Sequence, residues 1–439
     1  MQNQYRGKVM KKRDITEYSV EAMRKAGLQR SECLLRDTRK DELNVDSGEM
    51  SLLRTTDNTS LILTGILDDK KGTISINKID RLSIDEAVTT VLDLAKSSEA
   101  DSANDIPPSQ PAAEFERGPV AVDLDLMYSR MKDFIKYSGE RYPSLILEQA
   151  ILDFTNTHKY YRNSNGVDLQ SRCSSYNFSP MFTSKEGTDT SSFNYVAIST
   201  AELDRNLHEC GTVDLLMRQS TEQVRSREFQ GKFNGDIIIT PDCLGSILQM
   251  IVSYLSDYPM IKGTSIFQDS LGMQIADPQL TLHSRPLSDE LAEGYFITYD
   301  GFKAENSTII SEGILKSFLL SLYGANKTEK TRAVNSGGAY VVDPGEYTFD
   351  EMTRSVERGI LLCRFAGGMP SESGDFSAVA KNSYYIENGE VAYPVKEIMI
   401  SGNLLNLLKN IKRISSERVN FGDAVLPWIQ VENMTIFGK

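Results

Sequence analysis

The stretch from Gly367 to Ile411 constrains the fold more than any other part of the sequence. Residues 383–387 are rich in Tyr and Ile, and Asn388-Gly389 follows them, which is the dipeptide that two-residue β-hairpin turns prefer. Residues 391–400 return as an apolar strand, and leucines at helical spacing in 404–411 predict a short amphipathic helix. The preceding loop, the hairpin and the helix are therefore expected to form one unit.

A second pattern, at 236–255, predicts a strand followed by a helix that packs on a core. Asp236–Ile239 is short and apolar, and Thr240-Pro241 offers an N-cap residue followed by proline at the first helical position. The apolar residues that follow repeat at helical spacing: Leu244, Ile247, Leu248, Ile251, Val252 and Leu255.

The N-terminal half mixes helix and strand signals. Asp14–Glu17 and Ser83–Glu86 have the form of capping boxes, and each is predicted to begin a helix. Further helices are expected at 123–138 and 201–223. Short strands are predicted around 33–35, 43–45, 50–54, 60–67 and 73–77. The fold class is α+β, with an N-terminal α/β module that contains a mixed sheet and a mainly antiparallel C-terminal β domain with a few helices.

Composition divides the chain into four parts. Residues 1–97 form an N-terminal α+β module, and 98–120, which mix Pro, Ser and acidic residues, are expected to be a linker. Residues 121–230 form a central α+β segment whose separation from the N-terminal domain is left open. Residues 231–439 form a β-rich C-terminal domain.

Charge and cysteine content exclude several classes of protein. The net charge of −13 argues against a broad nucleic-acid-binding face, because phosphate contacts need clustered Lys and Arg. The sequence has no apolar run long enough to span a bilayer, and its N-terminus does not read as a secretory signal. The five cysteines are scattered and never paired as Cys-x-x-Cys, which predicts reduced thiols in the cytoplasm.

Two strings in the C-terminal part resemble a known family. SGDFS at 373–377 and YYIENGEVAYPVKEIMISGNL at 384–404 closely resemble the C-terminal signature of the TldD/PmbA family, bacterial and archaeal proteins long labelled modulators of DNA gyrase. The resemblance continues from about Gly235 to the C-terminus and is weaker before it.

The resemblance also points to a missing zinc motif. In the family's peptidase branch the helix after the short strand carries His-Glu-x-x-x-His, whose histidines hold zinc while the glutamate activates water. Alignment on the shared strand, Pro and Gly positions puts Gln249 and Met250 in place of the first histidine and the glutamate, and Tyr254 in place of the second histidine. The branch's third ligand is a cysteine near the C-terminus, whereas the last cysteine here is Cys363. The resemblance therefore implies no catalytic residue and no zinc in this chain.

Two interpretations of those three positions remain. Gln249, Met250 and Tyr254 lie off the apolar stripe, which favours a polar helix face at a surface or subunit contact. The alternative is a peptide-lining remnant of the metal site.

Other hydrolytic chemistry has little sequence support. A nucleophilic Ser373 or Ser377 lacks the Gly-x-Ser-x-Gly elbow, and none of the three histidines can be assigned as its base. A hydrolase that uses the carboxylates of Glu372 and Asp375 is kept as an alternative.

The resemblance implies a TldE/PmbA-like pseudoenzyme, a metal-free subunit that pairs with a zinc-bearing TldD-type subunit in a cytoplasmic complex that cleaves peptides or unfolded proteins. This chain would supply dimer surface and substrate-cleft walls, without contacting nucleic acid or membrane. A homodimer that binds peptides without hydrolysing them is the alternative. Two elements are expected to line the cleft, the Tyr384–Val395 hairpin and one loop. The hairpin is chosen because a sheet edge can bind an extended peptide by strand addition. That candidate cleft loop comprises Ser371, Glu372, Ser373, Gly374, Asp375 and Phe376.

Overall fold

Two β-sheets organise the chain in its computed structural model, which describes residues 11–335 and 337–438. Within those residues the first sheet has nine strands and the second has thirteen. Helices pack on both sheets, so the predicted α+β class is confirmed. No helix of the described residues combines the length and apolarity that crossing a membrane requires.

The first sheet takes its strands from residues 30–200, in the order β3-β2-β1-β5-β6-β4 with β7, β8 and β9 on β6. The strands are β1 (Arg30–Asp46), β2 (Glu49–Leu67), β3 (Lys70–Ile76), β4 (Ala113–Arg117), β5 (Leu145–Asn163), β6 (Asp168–Glu186), β7 (Asp189–Thr190), β8 (Asn194–Tyr195) and β9 (Ile198–Thr200). The accompanying helices are α1 (Lys12–Lys25), α2 (Arg81–Ser97), α3 (Leu124–Arg141) and α4 (Val213–Gln223).

This sheet is mixed, as predicted, because β4 pairs parallel with β6 while its other strand pairs are antiparallel. Strand β4 comes from the stretch 98–120, so that stretch contributes an edge strand to the sheet. Helices α1 and α2 cover one face of β1 and β2, where Cys33, Leu35, Leu61 and Leu63 are buried.

The predicted strand segments between 33 and 77 merge into three longer strands. The polar residues between the segments do not interrupt the strands, because they find cross-strand partners: Thr59 Oγ1, for example, donates to the Asp37 carboxylate at 2.6 Å.

The predicted helix starts need correction. Helix α1 begins before Asp14, which lies in its first turn, and α2 is capped by Asp80, whose carboxylate accepts from the Ser83 amide at 3.1 Å. Neither predicted capping box therefore forms, since the chain offers an earlier start in each case. The helix predicted over 201–223 shrinks to a 3₁₀ turn at Leu207–Glu209 and α4, interrupted by Gly211 at φ 52°.

The second sheet has the order β13-β12-β11-β14-β22-β10-β15-β18-β19, with β16, β17, β20 and β21 attached through β22. Its strands are β10 (Lys232–Ile239), β11 (Leu282–Ser284), β12 (Ser307–Ser311), β13 (Ile314–Leu315), β14 (Tyr340–Val342), β15 (Arg358–Leu362), β16 (Arg364–Gly367), β17 (Asp375–Lys381), β18 (Tyr384–Glu387), β19 (Glu390–Pro394), β20 (Ile398–Asn403), β21 (Ile411–Asn420) and β22 (Val425–Phe437). Its helices are α5 (Pro241–Ser253), α6 (Asp257–Lys262), α7 (Leu322–Thr328), α8 (Phe349–Arg354) and α9 (Leu404–Lys409).

The Gly367–Ile411 unit forms with one change. Asn388 and Gly389 have φ of 51° and 81° and turn β18 into β19, as the sequence predicts. The predicted return strand at 391–400 is divided into β19 and β20. After Pro394, the Lys396 amide donates to the Arg227 carbonyl at 2.8 Å, so the chain leaves β18 there.

The predicted strand and helix at 236–255 are confirmed as β10 and α5, with Pro241 at the start of the helix. The apolar face of α5 is buried in a core cluster that extends from Leu43 on the first sheet to Ile436 on the second. The two sheets therefore share one continuous core.

Candidate functional site

The candidate cleft loop is the turn between the antiparallel strands β16 and β17. The Ser371 amide donates to the Asp375 carbonyl at 2.9 Å, and the Gly374 amide donates to the Ser371 carbonyl at 2.8 Å. Gly374 has φ 84°, a left-handed conformation that glycine adopts at least cost. The loop therefore closes on itself through its backbone.

Side chains close the same loop a second time. Ser371 Oγ and Ser373 Oγ lie 2.8 Å apart, and Ser373 Oγ donates to Asp375 Oδ2 at 2.7 Å. Asn403 Nδ2 donates to Asp375 Oδ1 and to the Ser373 carbonyl, each at 2.9 Å. The Asn403 and Ser373 hydrogen bonds lower the pKa of Asp375, so this carboxylate is ionised and fully engaged.

Asn403 was not predicted as a site residue, although the sequence carried a signal for it. It stands just before the leucine-rich helix, where an N-cap residue belongs, and its Oδ1 accepts from the Leu405 amide at 3.0 Å. One side chain thus caps α9 and holds the candidate cleft loop.

Tyr254 connects the α5 helix to the loop. Its hydroxyl donates to the Ser371 carbonyl at 2.6 Å, and its ring packs edge-on against Phe267. Burial and then the nearby Glu372 raise the pKa of Tyr254, which keeps the phenol a neutral donor. The expectation that Tyr254 lies on a polar helix face is therefore wrong: only 8% of the residue is exposed.

The other two positions on α5 differ from Tyr254. Gln249 is exposed, whereas Met250 is half-buried against the shared core. The three residues therefore differ in burial, and among the described residues Tyr254 is the one of the three whose side chain hydrogen-bonds to the candidate cleft loop.

These residues do not fit a zinc ion. Zinc prefers thiolate, imidazole and carboxylate ligands, whereas this helix presents an amide, a thioether and a phenol whose proton is committed to a carbonyl. Across residues 11–335 and 337–438, no three His, Cys, Asp or Glu side chains are grouped so that they could hold a metal ion. The last cysteine, Cys363, is buried, and burial raises the pKa of its thiol well above the usual value.

Hydrolysis by the loop's own groups finds no geometric support. In the described part of the chain, the Ser373 hydroxyl is bonded to Ser371 and Asp375 and to no histidine. A lowered pKa makes Asp375 a weak base at neutral pH, and a general base for a serine needs a pKa near the operating pH. Asp375 is thus no proton acceptor of suitable strength for a nucleophilic serine.

Solved structures share this architecture. TldE from Thermococcus kodakarensis superposes with a TM-score of 0.83 at 18% identity over 97% of this chain and 100% of that one. A protein labelled a modulator of DNA gyrase from Bacteroides thetaiotaomicron gives 0.86 at 19% identity over 97% and 98%. The class defined by the fold is thus the two-sheet α+β architecture of these proteins.

Sequence comparison identifies the family. Residues 231–438 match the family described as PmbA/TldA metallopeptidase C-terminal domain. Metalloprotease PmbA of Escherichia coli O157:H7 is 25% identical over 408 residues, which cover 88% of each chain. The Metalloprotease PmbA homolog of Haemophilus influenzae is 25% identical over 97% of this chain and 96% of its own length. The C-terminal domain, residues 231–438, therefore belongs to the PmbA/TldD family, and the two PmbA relatives extend the similarity over most of the chain.

Proposed function

We propose that this chain is a TldE/PmbA-like subunit without catalytic metal in a cytoplasmic TldD/TldE-type zinc metallopeptidase complex. Its partner would be a TldD-type subunit that carries the zinc ion. Peptides or unfolded proteins would be the substrates, and this chain would supply dimer surface and part of the substrate cleft.

One observation carries the proposal. At the place of the zinc motif the chain has Gln249, Met250 and Tyr254, and the Tyr254 hydroxyl already satisfies the Ser371 carbonyl at 2.6 Å. The helix position that would bind the ion thus fastens a loop instead. Relatives named metalloproteases support a peptide substrate for the complex as a whole.

A sheet edge next to this helix suits a peptide. Strand β16 pairs only with β17 among the described strands, and helix α5 lies beside it. Such an unpaired edge can accept an extended peptide through main-chain hydrogen bonds. The candidate cleft loop ends this edge, and we place it at one end of the shared cleft.

Peptidase assays with and without a partner test the assignment. The purified chain, incubated with unstructured casein, should give no cleavage alone. Addition of a TldD-type subunit should give cleavage that a zinc chelator abolishes. Cleavage by this chain alone that survives the chelator would contradict the proposal and favour a carboxylate hydrolase. Peptide binding by a homodimer that ignores the TldD-type subunit would favour the non-catalytic binding protein.

A matched pair of glycine variants tests the cleft. Gly374→Ala strains the loop at φ 84°, where a Cβ would approach Ile266 Cδ1 to 3.3 Å. Gly48→Ala strains the β1–β2 turn at φ 81°, with open space around the new Cβ. Cleavage by the complex should fall only for Gly374→Ala. Equal peptidase activity of the complexes with the two variants would show that the loop is not part of the substrate cleft.

A further inference from the structure

A cavity of about 520 Å³ lies on the first sheet, and no residue of the candidate cleft loop lines it. Its floor is the face of β1, β2 and β5 opposite to helices α1 and α2, and the segment 295–299 covers it from the C-terminal half. This volume is in the range of small-molecule sites. Apolar and aromatic side chains line much of it, including Leu34, Ile62, Tyr161, Tyr295 and Ile297.

Two cations face this cavity without an acidic partner. Arg36 on β1 lies directly opposite Lys159 on β5, and both line the cavity. Within the described residues neither side chain forms an ion pair or a hydrogen bond with the protein. Like charges directly opposite each other on neighbouring strands are destabilising. Lys159 is half-buried, so water compensates its charge only in part.

The acid that lines the cavity, Glu32, and Asp300, which follows the lining residue Tyr299, are already engaged. Glu32, at the other end of the cavity floor, accepts from the Tyr161 hydroxyl at 2.5 Å. Asp300, behind the covering segment, receives two hydrogen bonds from Arg332, at 2.7 and 2.8 Å. Burial raises the pKa of Glu32, and burial followed by the nearby Arg36 lowers the pKa of Lys159. The protein itself therefore leaves the positive end of this cavity uncompensated.

We propose that this cavity binds a small organic carboxylate with an apolar or aromatic body. The carboxylate would lie between Arg36 and Lys159, because a guanidinium and an ammonium together offer charge-assisted donors to both of its oxygens. The body would contact Leu34, Ile62 and Ile297. Glu32 in the same cavity disfavours a compact dianion such as phosphate. The site is independent of the proposed peptidase role, so either can fail without the other.

Thermal unfolding of the full chain with three probes tests the proposal. Sodium 3-phenylpropanoate should raise the Tm in a saturable way, since a ligand that binds only the folded state stabilises it. 3-Phenylpropylamine has the same body with the opposite charge and should have no such effect, and sodium phosphate at matched ionic strength should act more weakly. Lys159→Met and Arg36→Met should each weaken phenylpropanoate binding about ten-fold or more.

Two further variants separate binding from structure. Lys159→Arg keeps the charge and should retain binding, while Lys409→Met removes an exposed charge elsewhere and should change nothing. Without ligand, Lys159→Met should unfold at the same or a higher Tm than the parent, which establishes that it is folded. The proposal is overturned if phenylpropanoate gives no saturable shift at millimolar concentration. It is also overturned if the amine or phosphate acts equally well, or if neither cation matters.

Discussion

The candidate cleft loop and the cavity on the first sheet use polar side chains in opposite ways. In the loop, Asp375 receives two side-chain hydrogen bonds, and the Ser371 carbonyl accepts from Tyr254 and Gly374. In the cavity, Arg36 and Lys159 face each other with no protein acceptor among the described residues. The hydrogen bonds of the loop stabilise its conformation, whereas the two cations of the cavity keep donors that a ligand can use. Within one chain, conspicuous polar residues in a loop can therefore be structural, while ordinary strand residues can form a site.

The strongest test of this contrast compares two arginines near the cavity. Arg332, unlike Arg36, is held between Asp300 and the ring of Phe302, and it also donates to Thr298 on the cavity wall. Arg332→Met leaves the half-buried Asp300 carboxylate without its charged partner and should cost about 3 kcal/mol of unfolding free energy. Urea unfolding at pH 7 measures this, with Arg36→Met as the matched control, for which little or no loss is expected. Similar losses of unfolding free energy for Arg332→Met and Arg36→Met would contradict the view that Arg36, unlike Arg332, has no stabilising partner in the protein.

The same pair makes a prediction about pH. The hydrogen bonds and charge of Arg332 lower the pKa of Asp300 although burial acts in the opposite direction. The stability from Asp300 is therefore complete above its unfolded pKa, near 3.8, and is lost as the pH falls through the lower folded value. In Arg332→Met burial still raises the pKa of Asp300, and only the hydrogen bonds from Thr298 and the Leu322 amide remain to lower it, so this pKa should be higher than in the parent. The stability difference from the parent should therefore narrow below about pH 4. An unchanged difference across that range would contradict this account.

In the loop, Asn403→Ala tests whether one side chain serves two elements. It removes the cap of α9 and should cost about 1–2 kcal/mol. It should also raise the pKa of Asp375 towards its ordinary value, because the largest cause of its lowering is the Asn403 hydrogen bond. Urea unfolding gives the first quantity and NMR titration of the Asp375 carboxyl gives the second. A loss of stability with an unmoved Asp375 pKa would limit Asn403 to its helix cap.

The parts of the fold that depend on residues close together in the chain could be predicted from the sequence. Asn388-Gly389 specifies its own turn, and the apolar spacing that begins at Leu244 gives α5 and its buried face. Contacts between distant residues were not readable, because no local pattern encodes them. The bond from Tyr254 to Ser371 joins residues 117 positions apart, so a position that looks polar on the helical pattern is buried in the structure.

The cavity illustrates the same limit more strongly. Arg36 and Lys159 meet only because β1 and β5 pair across more than a hundred residues, and the segment at Ile297, which lines the same cavity, comes from the connection between β11 and β12. Periodicity predicted a short strand around 33–35, but it contained no information on the partner strand or on the register of the pair. In a strand, register decides which side chains face each other. The turn at 371–376, by contrast, could be predicted from the sequence because its residues are contiguous, whereas its place in a cleft stays a prediction.

A smaller effect is expected from Tyr254→Phe, which removes only the hydroxyl. The Ser371 carbonyl keeps its bond from the Gly374 amide at 2.8 Å, so the loss should be about 1 kcal/mol. Urea unfolding measures it, and Tyr258→Phe on the exposed surface serves as the control, for which no change is expected. If Tyr254→Phe also left stability unchanged, the hydrogen bond between Tyr254 and the loop would not contribute to the free energy of unfolding.

The smallest predicted effect has the opposite sign and separates the two regions most clearly. Every substitution that removes a partner in the loop should destabilise the chain, whereas Lys159→Met should stabilise it by a few tenths of a kcal/mol, because it relieves the repulsion from Arg36. The unbranched side chain of methionine is nearly as long as the lysine stem and keeps most of its packing. Urea unfolding at low ionic strength measures the gain, which added salt should reduce because it screens the pair. A loss of stability would mean that Lys159 already has a structural partner, and the cavity would then resemble the loop.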